Sequence, residues 1–149
     1  MYLEEAMMAA GAVDNPRAEE FIYQFGIFRA ARVPADINMQ QNLWTVKQAV
    51  AGMRAATPDL DEDVARVDAE IYLRHPPGYG LAYLLGKLQM DALLAEESRR
   101  LGDRFALRDF HDRFLAAGRL PIALIAYEMS GDAADLAPMW RTPPVPARD

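Results

Sequence analysis

No stretch of six residues between Tyr2 and Met129 alternates cleanly between apolar and polar side chains, as a half-buried β-strand would. Apolar residues instead recur at helical spacing, as Phe21, Phe25 and Phe28 do. The sequence therefore predicts an all-α fold. We expect a single helical domain of about six to seven helices, with a proline–glycine break before a long central helix.

Caps, glycines and prolines indicate where the helices begin and end. Asp14 or Asn15 is expected to cap the second helix with Pro16 at its first position, and Pro34 to kink or end it. Thr45 is expected to cap the third helix. The predicted helices span residues 2–11, 16 onward, 45–56, 60–74, 79–101, 105–117 and 121–131, so the helical domain is 1–131 and the proline-rich segment 132–149 is extended or disordered.

Composition excludes several functional classes. The 149 residues include 22 acidic and 16 basic side chains, and a net charge of −6 makes nucleic acid an improbable partner. There is no cysteine, which rules out disulfides and thiolate metal sites. No apolar run approaches the roughly 20 residues of a membrane-spanning helix. The start carries acids rather than a basic segment, so we expect a cytoplasmic protein without a secretory signal.

The break at residues 75–80, His-Pro-Pro-Gly-Tyr-Gly, is the best candidate for a functional site. Its glycines permit close backbone approach, and the following helix carries tyrosines and a lysine at i, i+4 steps. Tyrosine hydroxyls donate hydrogen bonds, a lysine holds an anion, and a histidine serves as a general base. The predicted catalytic residues are His75, Tyr79 and Tyr83, and the predicted substrate-binding residues are Arg74, Gly78, Gly80 and Lys87.

A purely structural interpretation stays open for each of these residues. Tyrosines are common at the edge of a core, and Lys87 is four residues from Asp91, a spacing that favours an ion pair. Arg74 and His75 also suit the C-terminal end of a helix dipole. His111, between Phe110 and Phe114, is expected to be structural, as is Asp112 on the polar face with Asp109.

No metal or cofactor motif is present. The sequence has no H-E-x-x-H, no Glu-x-x-His pair, no phosphate-binding glycine loop and no G-x-S-x-G. The acidic clusters are typical of solvated helix faces. We therefore expect neither a metal ion nor a cofactor. The acidic clusters on the solvated faces are Glu4 with Glu5, Glu19 with Glu20, and Asp61 with Glu62 and Asp63.

Three segments together resemble a known family. They are residues 77–87 (Pro-Gly-Tyr-Gly-Leu-Ala-Tyr-Leu-Leu-Gly-Lys), residues 101–112 (Leu-Gly-Asp-Arg-Phe-Ala-Leu-Arg-Asp-Phe-His-Asp) and residues 118–121 (Gly-Arg-Leu-Pro). They look like the C-terminal third of domain-of-unknown-function family 885, which comprises bacterial all-helical proteins similar to zinc carboxypeptidases. Residues 29–32 and 36–45 also resemble the segment that precedes it, so the resemblance covers about residues 1–130.

The resemblance implies a zinc site, but not within this chain. In the family, zinc is expected from an H-E-x-x-H-like helix and a glutamate before a Gly-Trp-Ala-x-Tyr stretch, whose end resembles residues 1–5. All three ligands would then lie upstream of residue 1. The chain also departs from the family pattern at three other places: Gln40 stands for an expected histidine, Tyr72-Leu73 for an Arg-Tyr pair, and Tyr79 for a glutamine.

Three functional hypotheses follow. The first is a helical domain derived from a metallohydrolase-like fold that binds a small molecule, or a protein partner covering its apolar face. The second is a repurposed metal-free enzyme that acts on a small biosynthetic substrate by acid/base chemistry. The third is the C-terminal part or subunit of a split zinc peptidase. The sequence leaves open the ligand, enzyme status and oligomeric state, a homodimer included.

Overall fold

The computed structural model describes residues 1–140. Within them the chain forms seven α-helices and no β-strand, so the predicted all-α fold is confirmed. None of these helices combines the length and apolar character needed to cross a membrane. The α-helices are α1 (Tyr2–Ala9), α2 (Pro16–Gln40), α3 (Val46–Ala56), α4 (Glu62–Tyr72), α5 (Ala82–Leu101), α6 (Leu107–Ala116) and α7 (Ile122–Ser130). Three short 3-10 helices span Tyr79–Leu81, Gly102–Arg104 and Ala133–Trp140.

Three of the seven α-helices in the described chain, α2, α3 and α4, begin at a residue whose side chain caps them: Asn15, Thr45 and Asp61. The Asn15 side chain accepts a hydrogen bond of 3.0 Å from the backbone N–H of Arg17, with Pro16 at the first helical position. Thr45 and Gln48 form a capping box at the start of α3. These contacts satisfy backbone donors that would otherwise lack partners.

Pro34 does not end α2, and that part of the sequence prediction is wrong. The helix continues to Gln40, although a proline inside a helix costs about 3 kcal/mol. Two features after Pro34 offset this cost. Ala35 and Asp36 are fully buried, and the Asn38 side chain donates a hydrogen bond of 2.7 Å to the Pro34 carbonyl oxygen. Tertiary packing therefore overrides the local signal.

Contacts divide the chain into two compact units, one spanning Met1–Leu88 and the other starting at Gln89. The sequence has no linker at this point, because the boundary lies within the continuous helix α5.

The first unit has the larger buried core. Helix α2 packs on α3 and α4, α3 packs on α4, and the 3-10 turn at Tyr79–Leu81 packs on α2. Four alanines with no exposed surface lie on these helices, and their small side chains allow the helices to approach closely. The core residues are Phe28, Ala35, Met39, Ala49, Val50, Met53, Ala65, Ala69 and Tyr72.

In the second unit, the buried carboxylate of Glu97 links α5, which carries it, to α6. Arg100 donates two hydrogen bonds of 2.7 Å to it, and Arg113 donates one of 3.2 Å. Arg113 also donates a hydrogen bond of 2.7 Å to the carbonyl oxygen of Met129. The hydrogen bonds from Arg100 lower the pKa of Glu97. The carboxylate is thus held charged within this unit.

The segment after Asp132 differs from the prediction where the structure describes it. Residues 133–140 form a 3-10 helix rather than an extended chain. Asp132 caps this helix by accepting a hydrogen bond of 2.8 Å from Ala134, and Ser130 donates one to the side chain of Asp135. The remainder of the predicted segment, residues 141–149, lies outside the described residues.

Candidate functional site

The candidate site lies in the first unit, where the proline–glycine break meets α2. Gly78 has a φ of +98°, a left-handed conformation that glycine adopts without strain. It begins the 3-10 turn that leads into α5. The 3-10 turn that follows the break packs on α2.

A buried contact fastens this turn to α2. The backbone N–H of Gly80 donates a hydrogen bond of 2.7 Å to Oδ2 of Asp36, whose side chain has no exposed surface. A Cβ atom at Gly80 would lie 2.8 Å from Cβ of Asp36 and 2.9 Å from the carbonyl oxygen of Arg32. The close approach that this glycine permits is therefore made to α2.

Arg32 is the centre of the site. Only 6% of the residue is exposed, and its Nε donates a hydrogen bond of 3.0 Å to the hydroxyl of Tyr72 and lies 3.3 Å from Oδ2 of Asp68. Burial alone would lower the pKa of Arg32, but Tyr72 and Asp68 raise it above its usual value. Among residues 1–140, no side chain or carbonyl accepts a hydrogen bond from its two Nη atoms.

Aromatic rings and arginines alternate around Arg32. Its guanidinium lies 5.8 Å from the ring centre of Tyr79 and 5.2 Å from that of Tyr83, within cation–π range. Arg29 lies 5.3 Å from the Tyr83 ring and 5.8 Å from the Phe25 ring. We call this series the aromatic–arginine ladder; it consists of His75, Tyr79, Arg32, Tyr83, Arg29 and Phe25.

Two groups beside Arg32 are held in their protonated form more strongly than usual. Burial raises the pKa of the Tyr72 phenol to about 12, although the hydrogen bond from Arg32 opposes this. Burial also raises the pKa of Asp68, and the charge of Arg32 again opposes the shift. With so high a pKa, Tyr72 is a poor general base at neutral pH.

A pocket of about 430 Å³ opens on this arrangement. Its volume falls within the range of roughly 300–1,000 Å³ that is common for small-molecule sites. Two arginines and two aspartates line it, so the charges balance, and the remaining wall is apolar or aromatic. The lining residues are Phe25, Phe28, Arg29, Arg32, Asp63, Val64, Val67, Asp68 and Tyr83.

The structure brings only some of the predicted catalytic residues to this pocket. Tyr83 lines the pocket, and Tyr79 contacts Arg32 without lining it. The His75 ring stacks on the Tyr79 ring at a centroid distance of 4.5 Å, and both rings are exposed. His75 is therefore at the outer end of the ladder.

The predicted binding residues Arg74 and Lys87 have acidic partners. Arg74 is exposed and lies 3.7 Å from Glu70, one helical turn before it. Lys87 lies 3.0 Å from Glu5 of α1, a contact between distant parts of the sequence. Neither residue lines the pocket.

The two residues predicted to be structural lie in the second unit. The partly buried His111 ring lies 5.5 Å from the Phe110 ring in an edge-on arrangement. Asp112 is exposed and lies 3.7 Å from Arg108 on the same helix. Asp109 is also exposed.

Sequence reasoning did not select the residues that build the centre of the site. Arg32 follows Phe25 and Phe28 on one helical stripe, and an arginine on an otherwise apolar stripe is the signal that could have found it. Asp36 lies one turn further along the same stripe. Asp68 and Tyr72 form an i, i+4 pair on α4, but nothing local shows that they meet Arg32.

The donor set of the described chain does not fit the zinc site that the family resemblance implies. Within residues 1–140, no three histidine, cysteine, aspartate or glutamate side chains are grouped so that they would hold a metal ion.

Comparison with known protein families gives a match. A model of the family described as "Bacterial protein of unknown function (DUF885)" matches residues 1–129 of the 149. The chain belongs to the DUF885 family. The match includes all of the first unit and most of the second, so the pocket and the aromatic–arginine ladder lie inside the DUF885 region. No curated protein and no solved structure gives a significant match.

Proposed function

We infer that the first unit binds a small molecule that carries a carboxylate, an ammonium group and an apolar body, as a hydrophobic amino acid does. The observation that carries this inference is the buried Arg32, whose two Nη atoms have no acceptor among the described residues and which lines the pocket.

The carboxylate end is assigned to Arg32. A guanidinium with two free amino groups matches the two oxygens of a carboxylate. Arg32 lines the pocket, and a charge-assisted hydrogen bond from its guanidinium to an anion contributes roughly 1.5–3 kcal/mol. Arg29 adds a second positive charge, part of which is taken by its hydrogen bond of 2.5 Å to Glu4.

The ammonium end is assigned to Asp68. One carboxylate oxygen of Asp68 lies near Arg32, while Oδ1 has no partner among the described residues. A ligand with a carboxylate alone would meet repulsion from Asp68 and Asp63, which line the same pocket. A zwitterion matches the balanced charges better than either ion alone.

The apolar body of the ligand has four matching side chains. Phe25 and Phe28 come from α2, and Val64 and Val67 come from α4. Val64 and Val67 are 43% and 52% exposed, which is unusual for valines on helices that pack on each other. Covering them would stabilise the complex by about 25 cal/mol per Å² of apolar surface removed from water.

A matched set of probes tests the proposal. L-Phenylalanine, phenylpropanoate and phenylethylamine share the phenyl ring but carry both charges, only the carboxylate, or only the ammonium. Isothermal titration calorimetry on the purified chain is expected to give the tightest binding for L-phenylalanine. Arg32→Met is expected to weaken the binding of L-phenylalanine by about tenfold or more, because a charge-assisted contact is lost.

Control variants separate a binding role from a folding role. Arg32→Lys keeps the charge but loses the paired donors, so intermediate binding is expected. Arg99→Met changes an exposed arginine of α5 that pairs with Glu96, and binding should not change. The proposal would be refuted if the wild type and Arg32→Met bound L-phenylalanine with equal affinity while circular dichroism showed that both proteins were folded.

A protein partner is a second candidate, supported by exposed apolar side chains on the first two helices. Five large apolar residues there are more than 40% exposed, and such surface often marks an interaction site. A homodimer would be one form of this interaction. Light scattering at several concentrations tests it. The five exposed apolar residues on α1 and α2 are Leu3, Met7, Phe21, Tyr23 and Ile27.

The remaining expectations stay predictions. They are acid/base catalysis by His75, Tyr79 and Tyr83, descent from a metallopeptidase-like fold, and a cytoplasmic location. Loss of turnover in Tyr83→Phe, once a substrate has been found, would favour catalysis over binding alone.

A further inference from the structure

Helix α1 contacts the candidate site through two acidic side chains that are adjacent in the sequence. The carboxylate of Glu4 accepts a hydrogen bond of 2.5 Å from Nη1 of Arg29, and the carboxylate of Glu5 lies 3.0 Å from Nζ of Lys87. Arg29 belongs to α2 and Lys87 to α5. Because adjacent residues of a helix point about 100° apart, α1 reaches two different helices of the first unit at once.

The carboxylate of Glu4 occupies a group that the proposed ligand would use. Arg29 lines the pocket of about 430 Å³ and is the second positive charge there beside Arg32. Its guanidinium lies 5.3 Å from the ring centre of Tyr83, which lines the same pocket. The hydrogen bond from Arg29 lowers the pKa of Glu4 to about 2, so Glu4 is fully charged at neutral pH. A carboxylate of the chain itself therefore neutralises one of the two arginines of the pocket.

Charged contacts, rather than apolar packing, hold α1 in place. None of its eight residues is buried, and a helix shorter than about 12 residues is marginal without tertiary packing. Leu3 and Met7 are 67% and 42% exposed. The side chains of Glu4 and Glu5 are also partly open to water. A ligand carboxylate that takes Arg29 from Glu4 would thus remove a main attachment of α1.

The link between α1 and α2 has space to change conformation. It consists of residues 10–15, all but one of which are exposed. Gly11 has a φ of +70°, and no atom lies within 4 Å of the position that a Cβ would take there. Hinges are a few loop residues of this kind that absorb a change in backbone angles. Release of α1 therefore requires no rearrangement of the buried core.

We propose that α1 is an autoinhibitory strap, in which Glu4 competes with the carboxylate of the ligand for Arg29 and release of α1 raises the affinity of the pocket. The inference rests on the proposed function and adds a regulation of that same site. Two competing events weaken each other by the same factor, so ligand binding must loosen α1 as much as α1 weakens the ligand. The effect also depends on ligand charge, because an ammonium gains nothing from Arg29.

Phenylpropanoate and phenylethylamine, which carry opposite charges on the same ring, are the probes for calorimetry on the full chain. Glu4→Gln is expected to bind phenylpropanoate about fivefold more tightly than the wild type, or better, and phenylethylamine no more tightly. Glu5→Gln removes the same charge from the next residue but leaves Glu4 in place, so a smaller increase is expected. Glu96→Gln, at an exposed position of the second unit, should have no effect.

Hydrogen exchange of the α1 amides is the second measurement, because it observes the strap itself. Saturating phenylpropanoate is expected to speed the exchange of residues 6–9 in the wild type, while the amides of α3 keep their rates. Circular dichroism checks that each variant is folded, and substitutions on α1 leave the buried core intact because no residue of α1 is buried.

Several results would overturn the strap. They are equal affinity of the wild type and Glu4→Gln for phenylpropanoate, an equal increase in Glu4→Gln and Glu5→Gln, and unchanged exchange of α1 at saturation. In each of these cases, binding by the wild type leaves the proposed function standing. If neither the wild type nor Glu4→Gln binds L-phenylalanine or either probe, the proposed function fails and the strap fails with it. Binding of phenylpropanoate by Glu4→Gln alone would support the strap in its strongest form.

Discussion

Asp36 and Gly80 are 44 residues apart in the sequence and join α2 to the proline–glycine turn by one buried hydrogen bond. The contact brings the start of α5 onto α2, so that Tyr79 and Tyr83 lie against the guanidinium of Arg32. The fold of the turn and the geometry of the candidate site therefore depend on the same pair of residues.

Gly80→Ala is expected to destabilise the first unit. The added Cβ would lie within 3 Å of Cβ of Asp36 and of the backbone of Arg32, so the helix and the turn would have to separate. The expected loss is about 1–3 kcal/mol in the free energy of unfolding, measured by urea denaturation. Gly86→Ala is the matched control, since no atom lies within 4 Å of its added Cβ. It should be neutral or stabilising by up to about 1 kcal/mol. Equal effects of the two substitutions would contradict the tight contact.

Tyr72 should titrate only at very high pH. Burial raises its pKa from 10.0 to about 12. The protonated phenol is favoured by the fold, so its contribution to stability is present below pH 10 and is lost as the pH rises towards 12. Absorbance titration at alkaline pH should show a late-titrating tyrosine that is missing in Tyr72→Phe. An unchanged titration curve in that variant would show that the phenol is not enclosed in this way.

Glu4 should titrate at unusually low pH. The hydrogen bond from Arg29 lowers its pKa from 4.5 to about 2. Its contribution to stability is therefore present above pH 4.5 and is lost as the pH falls towards 2. Carboxyl carbon NMR should resolve this titration, and Arg29→Met should return it towards 4.5. If Glu4 titrates at the same pH in the wild type and in Arg29→Met, Arg29 does not hold this carboxylate in solution.

Glu97→Gln is expected to destabilise the second unit at neutral pH. It weakens the hydrogen bonds from Arg100 and Arg113 to a buried carboxylate, and the expected loss is about 1–3 kcal/mol. Because these contacts lower the pKa of Glu97, the difference from wild type should shrink as the pH falls below the usual range of a glutamate. The neighbouring Glu96, an exposed residue that pairs with Arg99, is the control. Glu96→Gln should cost less than about 1 kcal/mol. If both variants had the same stability at pH 7, the network of Glu97 would be unimportant.

Local signals predicted the elements of the fold well. Asn15 with Pro16, and Thr45 with Gln48, are short-range capping patterns, and the helices begin there. Pro34 misled the prediction because its neighbours Ala35 and Asp36 are buried by residues distant in sequence. Local rules hold where the partners of a residue are its neighbours in the chain, and burial overrides them elsewhere.

The site was only partly predictable for the same reason. The turn was recognisable from its prolines and glycines, which led to Tyr79 and Tyr83. Arg32 has its partner Asp68 on another helix, so neither was selected from the sequence. A charged residue on an apolar helical stripe is a signal worth testing in such chains, since burying it requires a partner.

Side-chain nitrogen NMR of the arginines during a titration with L-phenylalanine tests the central claim most directly, because it observes the groups assigned to the ligand carboxylate. The Nη and Nε signals of Arg32 are expected to shift in proportion to the fraction bound, while those of the exposed Arg99 stay unchanged. Binding detected by calorimetry without any change in the Arg32 signals would contradict the assignment.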